Sequence, residues 1–296
     1  MEVFRTVAEL RARADAERYA GRRVALVPTM GALHAGHLSL VAEARRRADF
    51  VVVSIFVNPT QFAPNEDLAS YPRTPESDLA QCREAGVDAV FAPAPVELYP
   101  SGAQTWVDVA ELSQPLCGGS RPHFFRGVAT VVTKLLVAAR PHVAVFGEKD
   151  YQQLQVVRRL ARDLLLDVEI VGVATDREAD GLARSSRNVY LEAAMRPEAL
   201  SLVRALDDAE KAVAAGERRV AVLEARVREL ISRAPHAEID YADLRDAATL
   251  AAIETLRAPA VLALAVRFPA PRAASGHVRL IDNRVLHPQP TAEDPR

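Results

Sequence analysis

VALVPTMGALHAGHLSLVAEA, residues 24–44, runs from an apolar strand through a glycine-bearing turn into an amphipathic segment. Val24, Ala25, Leu26 and Val27 make an apolar run of strand length that Pro28 closes. Gly31 and Gly36 bracket the turn, and beyond it Leu38, Val41 and Ala44 recur at the spacing of one helix face. His34 and His37 stand three apart, so a helix that begins near His34 carries both on one side. Unsatisfied backbone N–H groups and the helix dipole make such a start an anion site, to which imidazolium adds charge. The same pair also fits an ordinary βα turn with two solvated histidines. The rest of the chain has to decide between them.

The pattern repeats outward from this unit. Residues 2–19 are charged and periodic through Val3, Val7 and Leu10, which predicts a leading helix. Residues 50–57, FVVVSIFV, form an unbroken apolar run, the mark of a strand buried on both faces of a parallel sheet. Thr74, Pro75 and Glu76 read as N-cap, first helical proline and acidic first turn, and Gly86 ends that helix. Further strands are expected at 88–92, 105–109, 142–146 and 168–174, and helices at 125–139 and 152–164. Strand and helix alternate through about the first 175 residues, which predicts a parallel sheet with crossover helices. Ligands bind beyond the carboxyl ends of such strands. The polar clusters fall there: 30–37, 58–61, 147–153 and 176–188.

After Asn188 the texture changes to alanine- and arginine-rich helices near 197–214 and 220–232, then strands near 239–244, 261–268 and 278–281. The expected organisation is an α/β domain over 1–188 and a smaller α+β domain over 189–296. The last residues, from Pro288 on, are proline-rich and read as frayed.

The bulk numbers narrow the function. The chain has 296 residues, 49% hydrophobic and 26% charged, with a formal net charge of −2. Nothing there argues for nucleic acid or a membrane surface as partner. Cys82 and Cys117 form no CxxC pair, which points to a reducing compartment and no zinc knuckle. The opening MEVFRTVAEL has no apolar signal core, and no apolar run reaches the ~18 residues of a membrane span. A cytoplasmic protein is expected.

Six segments in this order carry a resemblance: PTMGALHAGH at 28–37, FVNPTQF at 56–62, YPRTPESDL at 71–79, FRGVATVVTKLL at 125–136, FGEKDYQQL at 146–154 and DGLARSSRNVYL at 180–191. Weaker likeness continues through VLALAVRF at 261–268 and LIDN at 280–283. The chain resembles the pantoate–β-alanine ligase family, whose fold is a Rossmann-like parallel sheet of the HxGH nucleotidyltransferase type with a smaller C-terminal α+β domain. HxGH alone is shared with other adenylyl-transferring enzymes; NPTQF, GEKDYQQL and SSRN together are specific. The resemblance implies ATP-dependent condensation of (R)-pantoate with β-alanine to pantothenate, AMP and diphosphate through a pantoyl adenylate. It also implies Mg²⁺, a homodimer and a place in coenzyme A supply.

It assigns residues as well. His34 and His37 hold the triphosphate as pyrophosphate leaves, with His37 as proton donor, and Lys149 and Arg187 complete the catalytic set. Met30, Gly31, Gly36, Gly147, Glu148, Asp150, Asp176, Arg184, Ser185 and Ser186 join these on ATP. Gly36 lets the nucleotide approach the backbone, and Asp150 suits ribose hydroxyls. Ser185, Ser186 and Arg187 form a second phosphate clamp on a stretch placed to close over ATP. Gln61 and Gln153 hold pantoate, Gln61 also β-alanine, and Asn58 belongs to the same wall. Neutral amides suit a carboxylate that must stay nucleophilic. The chemistry is in-line displacement at phosphorus, so no nucleophilic side chain is required. Asp78 is a weaker candidate for Mg²⁺ through water, and no direct protein ligand to metal is expected.

Three positions depart from the pattern: His123 stands one place early with Phe124 in its usual place, Arg184 replaces an apolar residue, and Asp176 stands where valine is frequent. Arg121 matches. The competing readings are another HxGH nucleotidyltransferase, a nucleotide-sensing module without turnover, and a metalloprotein using His34 and His37. The last lacks a third ligand. A tRNA synthetase would need a basic RNA-binding extension.

Overall fold

The structure is a computed structural model that describes residues 1–63, 68, 69, 71–273 and 275–288. Expectations for the proline-rich tail beyond Pro288 lie outside the described residues. The chain divides into two compact units, unit 1 over Met1–Asp176 and unit 2 from Arg177 on.

Unit 1 is built on six parallel strands: β1 (Glu2–Phe4), β2 (Val24–Thr29), β3 (Phe50–Ile55), β4 (Ala89–Phe91), β5 (Val143–Gly147) and β6 (Glu169–Val173), in the order β1-β4-β3-β2-β5-β6. The helices are α1 (Val7–Tyr19), α2 (Ala35–Arg47), α3 (Pro75–Glu84), the single turns α4 (Pro95–Leu98) and α5 (Cys117–Ser120), α6 (Phe124–Ala139) and α7 (Tyr151–Asp163). The leading segment is not helical throughout. Residues 2–4 pair with β4, and α1 starts only after Thr6, whose hydroxyl accepts from Glu9 N at 3.2 Å while Glu9 Oε2 accepts from Thr6 N at 2.9 Å. The strand expected at 105–109 is also absent. Val107 N donates to Thr130 Oγ1 of α6 at 3.0 Å, so a helix side chain takes the place of a sheet neighbour there.

The core follows from the apolar runs. Val51, Val52 and Val53 of β3 are buried on both faces, as are Ala25, Leu26 and Val27 of β2. Leu40, Val41 and Ala44 of α2 pack with Val27, Val53 and Val145 in one cluster. The chain passes from β2 outward through β3 and β4, then returns to β5 on the other side of β2. The order reverses between β2 and β5, and a crevice opens past the carboxyl ends of strands at such a point. Met30 follows β2, and Gly147 ends β5.

Unit 2 contains the single turn α8 (Arg196–Ala199), α9 (Ser201–Ala214) and α10 (Val220–Ser232), and the antiparallel sheet β7 (Glu238–Asp246), β8 (Ala260–Pro269) and β9 (His277–Leu286) in that order. Leu202, Leu206, Leu223 and Ile231 bury against Leu262, Leu264 and Phe268. The division falls before the expected boundary at Asn188, because residues 177–188 fasten to unit 2. Arg177 makes a two-pronged pair with buried Asp282 at 2.7 and 2.9 Å and bridges Ala183. Arg196 holds Glu178 and Asp180, and Asn188 Nδ2 donates to Glu178 Oε1 at 2.7 Å. The composition shift marks where the long helices begin, not where the units part.

Candidate active site

The turn after β2 is held from below by a carboxylate. Asp78, in the first turn of α3 and 1% exposed, accepts from Ala32 N at 3.0 Å, Leu33 N at 2.8 Å and the Thr74 hydroxyl at 3.1 Å. Both of its oxygens accept from protein groups, which shapes the turn. Gly31 sits at φ +81, and a Cβ there would lie 2.9 Å from Asp78 Oδ2. Glycine is therefore required twice over, by conformation and by space.

His34 is the N-cap of α2 and makes no side-chain capping bond, and His37 lies in the first turn with its ring centroid 4.1 Å from that of His34. Burial first, then His34 and Lys149, push the His37 imidazole down from 6.5 to about 3. The expected imidazolium charge is thus absent at His37. That places the ring in its neutral form at physiological pH. Its Nδ1 is buried without a hydrogen-bond partner among the described residues, which suits a ligand that brings its own polar atoms. A Cβ on Gly36 would stand 3.0 Å from His34 Cε1 and 3.7 Å from Asp176 Cβ, so His34 and Asp176 flank the bare backbone of this turn.

Past β5, residues Glu148–Asp150 form a 3₁₀ turn leading into α7. Half-buried Lys149 is close enough to His37 to disfavour its protonation. Glu148 leans back over β6, its Oε1 2.9 Å from where a Gly172 Cβ would be. Asp150 is exposed at the N-cap of α7. Of the two neighbouring amides, Gln152 is a staple: it donates to Leu112 O at 2.9 Å and Pro115 O at 2.7 Å and accepts from Cys117 N at 3.1 Å. Half-buried Gln153 is the next residue on the first turn of α7.

Past β3, Pro59–Gln61 form a second 3₁₀ turn capped by Asn58. Gln61 donates from Nε2 to Met30 Sδ at 3.0 Å, which joins this turn to the one after β2. Asn58 is 1% exposed, and its amide is taken up by Gln61, Gly127 and Thr60. It supports the wall from behind. Gly127 is required in α6, since a Cβ would lie 2.4 Å from Thr60 O. The departure at His123 is absorbed: Phe124 carries the Arg121 guanidinium 3.9 Å over its ring, and Arg121 Nη2 donates to Gln61 O at 3.1 Å. His123 itself is the exposed N-cap of α6.

One cluster of unit 1 thus gathers Met30, Gly31, His34, Gly36, His37, Asn58, Gln61 and Lys149, with Asp176 against Gly36. Arg184, Ser185, Ser186 and Arg187 belong to unit 2, where Ser185 Oγ accepts from Arg187 N at 3.2 Å and Arg184 Nη2 donates to Arg177 O at 3.4 Å. Sequence reasoning did not single out Gln152, and it left Asp78 between a first-turn helix residue and a weak candidate for Mg²⁺ through water; the structure shows its bonds to the turn after β2. The only signal for these was its place in the first turn of a helix.

The family model for pantoate-beta-alanine ligase matches residues 2–285. The chain belongs to the pantoate–β-alanine ligase family. The pantothenate synthetase of Syntrophobacter fumaroxidans is 52% identical over 288 residues, 97% of this chain and 99% of that one. That of Myxococcus xanthus is 53% identical over 96% of both chains. The crystal structure of pantothenate synthetase from Thermus thermophilus superposes with a TM-score of 0.90 at 47% identity, covering 97% of this chain and all of that one. The Francisella tularensis pantoate-beta-alanine ligase, complexed with beta-gamma ATP and beta-alanine, gives 0.71 at 29% identity over 96% of this chain and 97% of that one. As a pantoate–β-alanine ligase the chain is an ATP-dependent ligase that forms pantothenate. This sets aside the sensing-module, synthetase and other nucleotidyltransferase readings. For the metalloprotein, no group of three His, Cys, Asp or Glu among the described residues can hold an ion.

Proposed function

We propose that this ligase first converts pantoate and ATP to a pantoyl adenylate and then passes the pantoyl group to β-alanine. The observation that carries the reading is the buried His37 Nδ1 without a hydrogen-bond partner among the described residues, in the helix that follows β2, with the Gln61 amide of the neighbouring strand's turn bonded to Met30 at the end of β2. A pantoate carboxylate oxygen attacks the α-phosphorus, the bond to the bridging oxygen breaks, and pyrophosphate leaves with the electron pair. The β-alanine amine then attacks the acyl carbon, gives up a proton, and AMP leaves with the carboxylate-derived oxygen. Nothing in this needs a side-chain nucleophile; it needs alignment and donors where charge develops.

In this reading His34 and His37 take the phosphates at the first turn of α2, where backbone N–H groups add to them. A neutral His37 donates a hydrogen bond without a standing charge, and the arriving triphosphate raises its proton affinity as pyrophosphate forms. Lys149 supplies the fixed cation. Met30, Gly31, Gly36, Gly147, Glu148, Asp150 and Asp176 line the nucleotide in unit 1; the family resemblance assigns Arg184, Ser185, Ser186 and Arg187 to ATP as well. Gln61 and Gln153 hold pantoate, Gln61 then meets β-alanine, and Asn58 acts through Gln61. Mg²⁺, when bound with ATP, would supply charge neutralisation at the phosphates; Asp78 would act on it only indirectly, through the turn that it holds by Ala32 N and Leu33 N.

The working form is proposed to be a cytoplasmic homodimer with only small-molecule substrates. No helix among the described residues is long and apolar enough to cross a membrane. The test is substrate dependence. Pyrophosphate release from ATP should require pantoate, and AMP formation to completion should require β-alanine. ATP turnover indifferent to pantoate would sink the reading.

A further inference from the structure

The Asn58 amide is oriented from both ends. Gly127 O is an acceptor only, so the group 3.1 Å from it is Nδ2; Thr60 N is a donor only, so the group 3.4 Å from it is Oδ1. The second Nδ2 hydrogen goes to Gln61 Oε1 at 3.0 Å. That fixes Gln61 in turn, with its oxygen held inward and its Nε2 on Met30 Sδ. A hydroxyl has one hydrogen, and that of Thr60 goes to Asn58 Oδ1 at 3.0 Å. The Tyr99 hydroxyl, 3.1 Å from Thr60 Oγ1, is therefore the donor to it. Burial holds the Tyr99 phenol above its ordinary range, against the opposing effect of hydrogen bonds with the side chains of Thr60 and Asn58, so it keeps its proton and touches both of the next two members of the series. Its ring is fixed by Phe56, stacked at 6.4 Å, and by Lys134, whose ammonium lies 4.1 Å from the ring centroid and donates to Leu98 O.

The hydrogen bonds run one way: Tyr99 to Thr60, Thr60 to Asn58, Asn58 to Gln61. We propose that Thr60 and Tyr99 are positioning residues, the head of a one-way hydrogen-bond relay that holds the Gln61 amide with its N–H₂ turned toward the acid being activated. Bonds in series polarise one another, so the relay also makes that N–H a better donor. A flipped Gln61 would present its carbonyl oxygen to a carboxylate and repel it. The inference rests on the reading that Gln61 holds pantoate.

The test compares Thr60→Val, which keeps the shape of the side chain and removes the hydroxyl, with Thr60→Ser, which keeps the hydroxyl. Tyr99→Phe removes the head of the relay, and Gln61→Ala serves as control. Steady-state KM for pantoate and for ATP, kcat and Tm are measured on the full-length enzyme. Thr60→Val should raise the KM for pantoate about three- to tenfold, the equivalent of one neutral hydrogen bond. Tyr99→Phe should raise it by about two- to threefold, and Thr60→Ser should restore it, with the KM for ATP unmoved throughout. If Gln61→Ala raises the KM for pantoate while Thr60→Val and Tyr99→Phe do not, the relay is refuted and the placement of pantoate stands. If Gln61→Ala leaves that KM unchanged, the placement fails and the relay with it. Equal rises in both KM values, or a fall in Tm with no change in KM for pantoate, mean a packing role and overturn the proposal.

Discussion

Strand β2 is bonded to a histidine at its start and is followed by a helix that carries another in its first turn, and the two rings are used in opposite ways. At its start Val24 N donates to His142 Nδ1 at 2.9 Å while His142 N donates to Val24 O at 2.8 Å. That ring finishes the sheet by accepting a backbone N–H that would otherwise lack a partner. At the other end the His37 ring leaves its Nδ1 buried and without a hydrogen-bond partner among the described residues. Burial lowers the proton affinity of both histidines. At His142 the neutral ring is an acceptor the fold already uses; at His37 it is a group held ready. A ring nitrogen bonded to backbone belongs to the fold; on the proposed reading, the buried one left open belongs to a ligand.

Removing each ring should therefore affect different measurements. His37→Ala should slow single-turnover pyrophosphate release by about 10²- to 10³-fold, the effect of one lost transition-state donor, and should leave Tm within about 2 °C of wild type. A large fall in Tm with the rate intact would reverse the assignment. The same ring should stay neutral: its Cε1–H resonance in the unliganded enzyme should hold the neutral position from about pH 8 down to about pH 4. A transition near the ordinary value of 6.5 would remove the argument from burial.

The ligand end is itself held by structure, so a second substitution should disturb both function and stability. Asp78→Ala leaves Ala32 N and Leu33 N without their acceptor. Two unpaired donors should cost about 3 kcal/mol in urea unfolding, together with a raised KM for ATP. An unchanged unfolding midpoint would show that water replaces the carboxylate. Gly36→Ala should act more narrowly. A methyl group 3.0 Å from His34 Cε1 must displace that ring by a few tenths of an ångström. The expected result is an approximately tenfold rise in KM for ATP, about 1.4 kcal/mol, at nearly constant stability. A normal KM would mean that the orientation of His34 is immaterial.

The legible parts of the molecule were those written in local pattern. The buried run at 50–57, the first turn at Thr74-Pro75-Glu76 and the alternation over the first 175 residues each depend on neighbours within one segment. The HxGH, NPTQF and GEKD clusters were visible for the same reason, because each is a short turn at a strand end. Contacts across the sequence were not legible. Asp78 lies 45 residues from Leu33, Tyr99 lies 39 from Thr60, and His142 lies 118 from Val24. Nothing local distinguishes Gln152 from Gln153, yet the first is bonded to Leu112, Pro115 and Cys117. Residues 105–109 read as a strand by composition, and a threonine on α6 took the bond a neighbouring strand would have made. Charge state was illegible too: a histidine at a helix start reads as a cation until its burial is known.

The smallest effect should come from the start of β2. His142 can accept from Val24 N only when neutral, and burial, with Arg18 and Arg23 nearby, lowers its proton affinity. A folded-state pKa below the unfolded value means that the unfolded chain takes up the proton first. The contribution of His142 to stability is thus fully present above 6.5 and is lost as the pH falls through the lowered folded value. His142→Asn replaces the ring with an amide oxygen that accepts from Val24 N and does not titrate in this range. Wild type should lose more Tm than the variant between about pH 7.5 and about pH 5, with the difference about 1 to 2 °C. Pyrophosphate release at about pH 7.5 should match wild type in the variant, because the ring lies at the opposite end of the strand from the crevice. Identical Tm losses in the two proteins would mean that Val24 N finds another acceptor when His142 is protonated. The contrast between the two ends would then rest on His37 alone.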